Sequence, residues 1–217
     1  KKMVKRRLKI KGVLFLLAVF VVLYFGVIAL FKVEVKSITI KGTEYLKNSQ
    51  ILKEAGLTEE LTFFGFISSS LCEKIEANPL VKTCKVRRTF DFRMEIELEE
   101  NVPLFYYSPE SSIVLSDGTK MSSGGNSYGI PTLINHTDEE VLKEFIAGLS
   151  EVKSDITRSI SEIEYAPSAS KDGVYIDKER FIMMMNDGNT VVINNRKLNA
   201  LNYYDTIYAS IGNKKGT

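Results

Sequence analysis

Residues Val13 to Phe31 form one apolar run, VLFLLAVFVVLYFGVIALF, without a charged side chain. As a helix it rises about 28 Å, close to the hydrocarbon thickness of a bilayer. Lys1, Lys2, Lys5, Arg6, Arg7, Lys9 and Lys11 precede it, with no acid among them. Basic flanks stay on the cytoplasmic side, so residues 1–12 read as a cytoplasmic tail and everything after Lys32 as extracytoplasmic. A cleaved signal peptide is the alternative. It has a shorter apolar core and a small-residue cleavage site, whereas Phe31-Lys32-Val33-Glu34 follows here. The run reads as a single uncleaved membrane anchor, 13–31.

Charge divides the chain in the same way. The whole sequence has 29 basic and 27 acidic residues, and eight of the basic ones lie before Val33. The remainder therefore carries 21 basic against 27 acidic, a net of −6. Such a balance excludes a nucleic-acid partner for the external part, since phosphate neutralisation needs clustered cations. Cys72 and Cys84 lie twelve residues apart. A bridge is chemically open outside the cytoplasm. The reading favours two separate small buried thiols, because spacing alone does not establish the approach a bridge needs.

The order of elements after the anchor is strand, helix, helix, strand, strand. Val35 to Lys41 alternates as a strand and ends at Gly42. Asn48 and Ser49 offer caps for a helix through Ile51, Leu52 and Ala55. Leu57 to Ile67 reads as a loop with a buried aromatic anchor. Ser68, Ser69 and Ser70 offer caps for a second helix carrying Leu71, Cys72 and Ile75 on one face and stopping at Asn78-Pro79. Val81 to Arg88 is a strand. In the next, Phe90, Phe92, Met94, Ile96 and Leu98 alternate with Asp91, Arg93, Glu95, Glu97 and Glu99, predicting one buried and one wet face. Two helices over a three-stranded sheet is the compact solution.

Chemistry-bearing patterns are sparse. His136 is a lone loop histidine in the sequon Asn135-His136-Thr137, and no serine sits in a nucleophile elbow. Glu95, Glu97 and Glu99 share the wet face of a strand, which a solvated sheet surface explains. Gly124-Gly125 lacks the Lys-Ser/Thr of a phosphate loop. The reading is therefore of no enzyme, no cofactor, no metal and no small-molecule substrate.

The strand–helix–helix–strand–strand order behind a single membrane helix resembles a POTRA domain as found in the FtsQ/DivIB family of bacterial cell-division proteins. The residues that carry this are Ser37-Ile38-Thr39-Ile40-Lys41-Gly42, Asn78-Pro79-Leu80-Val81, and Ile96-x-Leu98-x-Glu100-x-x-Pro103. Further on, Ile130-Pro131-Thr132-Leu133 resembles the family's Leu-Pro-x-Leu element, and Lys197-Leu198-Asn199-Ala200-Leu201-Asn202-Tyr203-Tyr204 its closing segment. Over this half of the chain, strands are predicted at Leu104–Tyr107, at Ile113, Val114 and Leu115, beginning with Ile160, Ile163 and Tyr165, and at Val174–Asp177, Arg180–Met185 and Thr190–Asn194. Asp138 is predicted to cap a helix through Leu142, Phe145 and Leu149, and Lys197 to Ile211 has helical spacing.

The fold expected is α+β: a POTRA-like module over 33–102, then a mixed β-sheet domain over 103–217 with flanking helices. The resemblance implies a non-enzymatic scaffold at the division septum that binds small coiled-coil membrane proteins, FtsB/DivIC-like and FtsL-like, and controls septal peptidoglycan synthesis. The alternative is a POTRA-type protein-transport or assembly factor. Partner binding by strand addition is expected at Thr190, Val191, Val192 and Ile193, with Lys197, Tyr203 and Tyr204 beside them. In the family a further edge strand follows the last helix, and Asn213 to Gly216 reads as a turn leading toward it.

Overall fold

A computed structural model describes residues 10–57, 62–124, 128–170 and 172–210. Two compact units emerge, one of residues 1–77 with 83–99, the other of residues 78–82 with 100–217. The expected turn at Asn213 to Gly216 lies outside the described residues.

In the first unit α1 runs Ile10–Phe31, three residues longer at its start than the apolar run alone predicts. It buries no residue, and it is long and apolar enough to cross a membrane. After it come β1 (Ser37–Lys41), α2 (Asn48–Glu54), α3 (Ser68–Glu76), β2 (Val81–Arg88) and β3 (Arg93–Glu100). The sheet order is β1-β3-β2, with β1 parallel to β3. Met94, Ile96 and Leu98 of β3 are buried, as are Ile51 of α2 and Leu71 and Ile75 of α3. These residues form the apolar layer that two amphipathic helices and one half-buried sheet require. Phe63 is the buried aromatic of the loop between the helices.

Several expectations need correction. Cys72 and Cys84 are not separate thiols: they form a disulfide, with Cα atoms 5.3 Å apart, tying α3 to β2. Neither cysteine is fully buried. The strand beginning at Phe90 starts only at Arg93. Phe92 adopts φ +63° in the turn before it, and Phe90 is fully solvent-exposed at 107%. A left-handed residue breaks the alternation that a period of two assumes. The helix caps also shift by one. Lys47 and Ile67 occupy the N-cap positions of α2 and α3, and neither they nor Asp138, ahead of the next helix, make a side-chain cap.

The second unit contains β4 (Pro103–Tyr107), β5 (Ser112–Leu115), β6 (Lys120–Ser122), β7 (Thr132–Leu133), α4 (Glu139–Ser150), α5 (Ser154–Arg158), β8 (Ile160–Tyr165), β9 (Ser168–Ala169), β10 (Tyr175–Asp177), β11 (Arg180–Met185) and β12 (Thr190–Asn194). A 3-10 helix, Asn195–Tyr203, and α6, Tyr204–Ser210, close it. Seven strands form one sheet in the order β12-β11-β8-β7-β4-β5-β6, while β9 and β10 pair as a separate hairpin. The core lies between this sheet and α4. Phe145 of α4 stacks on Phe181 at 4.1 Å and meets Phe105 edge-on at 5.7 Å, and all three are completely buried. Emptying the Phe145 site would cost about 3–5 kcal/mol.

Candidate functional site at the β12 edge

β12 pairs with β11 alone, in the antiparallel register Arg180↔Asn194, Ile182↔Val192 and Met184↔Thr190. No described strand occupies its other side. That edge opens on a groove of about 760 Å³. One wall is the strand, Thr190 to Asn194. The other is Ala200, Leu201, Tyr204, Ile207 and Tyr208 from the 3-10 helix and α6. Arg180, Arg196 and Lys197 also line it, against one lining acid, Asp177.

The helical wall is held by the sequence that builds it. Leu198 and Leu201 are buried and three residues apart, the period of a 3-10 helix. Leu198 lies where α4 presents Gly148; a Cβ there would come within 2.7 Å of Leu198 Cδ1. Two asparagines fasten the segment to the rest of the unit. Asn195 Nδ2 donates to the Val141 carbonyl at 3.1 Å, and Asn202 Oδ1 accepts from the Lys153 N–H at 2.8 Å. The turn into the helix is closed by Asn194, whose Oδ1 accepts from the Arg196 N–H at 2.9 Å.

Tyr204 anchors the far end. Its hydroxyl donates to Asp187 Oδ2 at 2.7 Å and accepts from Asn189 Nδ2 at 2.9 Å. Asp187 sits in the β11–β12 turn, so this bond joins hairpin tip to helix. Partial burial, then the Asp187 carboxylate it contacts, push the Tyr204 hydroxyl up to about 12. For Asp187, burial acts to raise the carboxyl. Hydrogen bonds from the Asn189 N–H and the Tyr204 hydroxyl outweigh it and hold the group below its ordinary value. Both groups keep their ordinary neutral-pH charge state, and the pair acts as a fastener.

Of the seven residues read from the sequence, Thr190, Val191, Val192, Ile193, Lys197 and Tyr204 come together around this groove. Tyr203 does not line it, although it is 66% exposed. Sequence reasoning missed Arg180, Arg196 and Tyr208 as lining residues. Ile207 lay on the helical spacing already seen.

The other candidates resolve as structure. Glu95 and Glu97 pair with Lys41 at 3.3 Å and Arg87 at 3.7 Å across an exposed sheet face, and Glu99 accepts from Thr83 Oγ1. His136 Nδ1 meets the Tyr107 hydroxyl at 3.4 Å. Asn135 bonds both the N–H and the carbonyl of Tyr165, mimicking a strand partner. No group of three or more metal-ligating side chains occurs among the described residues.

A strand–helix–helix–strand–strand module of POTRA type followed by a mixed-sheet domain with flanking helices is the class of fold this chain has. The FtsQ-type POTRA domain matches residues 33–101, and the C-terminal domain of cell division protein FtsQ/DivIB matches residues 107–216. The chain belongs to the FtsQ/DivIB family of cell-division proteins. It is similar to cell division protein DivIB of Bacillus anthracis, 26% identical over 87% of this chain and 69% of that one. The same holds for DivIB of Bacillus cytotoxicus, 26% identical over 82% of this chain and 67% of that one. Among solved structures, the major extracytoplasmic domain of DivIB from Geobacillus stearothermophilus aligns with a TM-score of 0.41 and 22% identity, over 54% of this chain and 99% of that domain.

Proposed function

We propose that this protein is a bitopic, non-enzymatic scaffold of the division septum. α1 anchors it in the cytoplasmic membrane with residues 1–12 in the cytoplasm. The modules over 33–102 and 103–217 project outside. There the scaffold recruits and regulates septal peptidoglycan synthesis by binding small coiled-coil membrane proteins of the FtsB/DivIC and FtsL kinds.

One observation supports this reading: the outer edge of β12 is uncharged, has no strand partner among the described residues, and opens on an apolar groove. A sheet edge of that kind accepts an added strand through main-chain hydrogen bonds, with side-chain pockets supplying selectivity. The lining predicts the incoming strand. Val191, Ile193, Leu201 and Ile207 suit apolar side chains, and Arg180, Arg196 and Lys197 suit acidic ones.

The test is photo-crosslinking from Val192 in dividing cells, in the natural full-length protein. Capture of a small coiled-coil membrane protein supports the scaffold. Capture of unfolded secretory chains supports a transport factor instead. Capture of neither, from a folded and septum-localised protein, removes β12 as the binding edge.

A further inference from the structure

The first unit carries an exposed apolar surface that the β12 reading leaves unused. Phe90 is 107% exposed, Ile67 72% and Phe64 38%, whereas the other aromatics after α1 in this unit, Tyr45, Phe63, Phe66 and Phe92, are packed or partly packed. These three lie in two segments, the loop before α3 and the turn between β2 and β3. Both segments are fastened to the exit of α1. Val33 accepts from the Phe63 N–H at 2.6 Å, Glu34 pairs with Thr62 in an antiparallel bridge, and Lys36 donates its N–H to Phe92 at 2.9 Å. Lys36 is the fifth residue after the last of the helix, a reach of at most about 17 Å.

Side chains bring the surface closer still. Phe31, the last residue of α1, meets Phe64 with ring centroids 6.5 Å apart. Phe64 meets Phe63 at 5.0 Å, and Phe63 meets Phe92 at 5.3 Å. A continuous row of aromatic rings thus runs from the end of the membrane helix into the module's core. Cations flank it. Lys36 Nζ lies 5.6 Å from the Phe92 ring centre, and the Arg88 guanidinium lies 4.4 Å from that of Phe66. Lys32 follows the helix directly. Among the described residues the acids at this end are Glu34 and Asp91, and Asp91 is bound by Arg93 at 2.9 Å.

Aromatic rings with Lys and Arg around them are the composition of a bilayer interface, where the rings enter the acyl boundary and the cations meet lipid phosphates. The backbone bears a cost to build it, since Phe92 holds a left-handed conformation unfavourable for a bulky residue, and the turn it makes leaves Phe90 outward. From this geometry we infer that the POTRA module docks flat on the outer leaflet of the membrane its anchor crosses, inserting Phe64, Ile67 and Phe90 among the lipids. The occupant is lipid because the surface is continuous with the helix that enters it. The module is thereby a seated base and not a freely tethered domain. This rests on α1 spanning the bilayer.

This sequence contains no tryptophan, so a substitution introduces a single tryptophan. The full-length protein carrying Phe90→Trp is reconstituted into vesicles of equal parts phosphatidylglycerol and phosphatidylcholine. The comparison is the same preparation with the phosphatidylcholine brominated high in its acyl chains. Thr83→Trp is the control. Thr83 is exposed on β2, five residues and about 17 Å of strand from Arg88. Docking predicts a blue-shifted Phe90→Trp emission that brominated lipid quenches, and a Thr83→Trp emission that it leaves unchanged. Water-like, unquenched emission from Phe90→Trp overturns the proposal. So does a blue shift without quenching, which would mean burial against protein. Alkaline extraction of the same vesicles tests the anchor separately: a retained protein with unquenched Phe90→Trp refutes docking while leaving the anchor intact.

Discussion

The two larger sheets treat their edges differently. In the first unit β2 is an edge strand of sequence VKTCKVRR, with Lys82, Lys85, Arg87 and Arg88 along it and a disulfide fixing its centre to α3. The opposite edge, β1, is only five residues long and ends in Lys41, paired to Glu95. In the second unit β6 is three residues long and carries Lys120, held by Glu110 at 2.6 Å. β12 departs from all three: TVVIN has no charge, and a groove lies along it. Short length and lysine are the usual means of blocking unwanted strand pairing. Three edges carry that protection and, among the described residues, β12 lacks it, which is the contrast on which its proposed role as a partner-binding edge rests.

The largest effect expected concerns the guarded edge. Cys84→Ser removes the link between α3 and β2. Closing a loop of this length in the unfolded chain is worth about 3 kcal/mol. Hydrogen exchange should show amides of β1, β2 and β3 losing protection by that amount while those of β8, β11 and β12 keep theirs. Equal loss in both units would show that they unfold as one and that the disulfide stabilises more than its own edge.

The open edge is sharpened by giving it the protection the others have. Val192→Lys places a cation on a 51% exposed position of β12 without touching the core. Partner affinity should fall by about 2 kcal/mol, the scale of an interface hot spot. The melting temperature should stay where it was. Retained affinity would mean that the partner binds elsewhere on this unit.

Much of this was legible in the sequence, for reasons that also explain the failures. Val81–Arg88 and Arg180–Met185 were read with correct bounds because alternation is a local property of a half-buried strand. Met183 and Met185 are buried and Met184 is 40% exposed, as that alternation requires. Phe90 was misread because the hydrophobic period continues through a residue whose φ is positive, and composition carries no sign of φ for a phenylalanine. The disulfide was misread because it depends on where α3 and β2 meet. α5, five residues long, is too short to show a period. The groove needed two facts absent from any local pattern: that β12 lies outermost, and that the chain turns back along it at Asn195.

A smaller effect is expected at the fastener that holds the groove's two walls. Tyr204→Phe removes a hydroxyl bonded to Asp187 and Asn189 and should cost about 1 kcal/mol of stability, the net value of a hydrogen bond. Its pH dependence has a definite sign. Tyr204 titrates higher folded than unfolded, so its contribution is whole below about pH 10 and is lost as pH rises toward about 12. Asp187 titrates lower folded than unfolded, so its contribution is whole above the ordinary carboxyl range and is lost as pH falls below it. Thermal melts should therefore show an alkaline decline in the native protein that is shallower in Tyr204→Phe. An unchanged alkaline slope would place the stabilising group elsewhere.

The smallest effect expected is at Tyr203, and it separates exposure from participation. Tyr203 and Tyr204 are adjacent, and tyrosine is a favoured interface residue; the sequence favours Tyr203, which falls off the apolar helical spacing, over Tyr204, for which core packing has at least equal claim. The 3-10 helix ends between them. Tyr204 lines the groove beside β12, while Tyr203, 66% exposed, is not part of its lining. Tyr203→Ala should change partner affinity by no more than about 0.5 kcal/mol, the near-neutral range of an interface scan. A titration of both alanine variants against the captured partner checks it. A loss at Tyr203 matching that at Val192→Lys would mean that the partner extends beyond the strand edge onto the outer face of the 3-10 helix, and that the uncharged edge is only part of what it recognises.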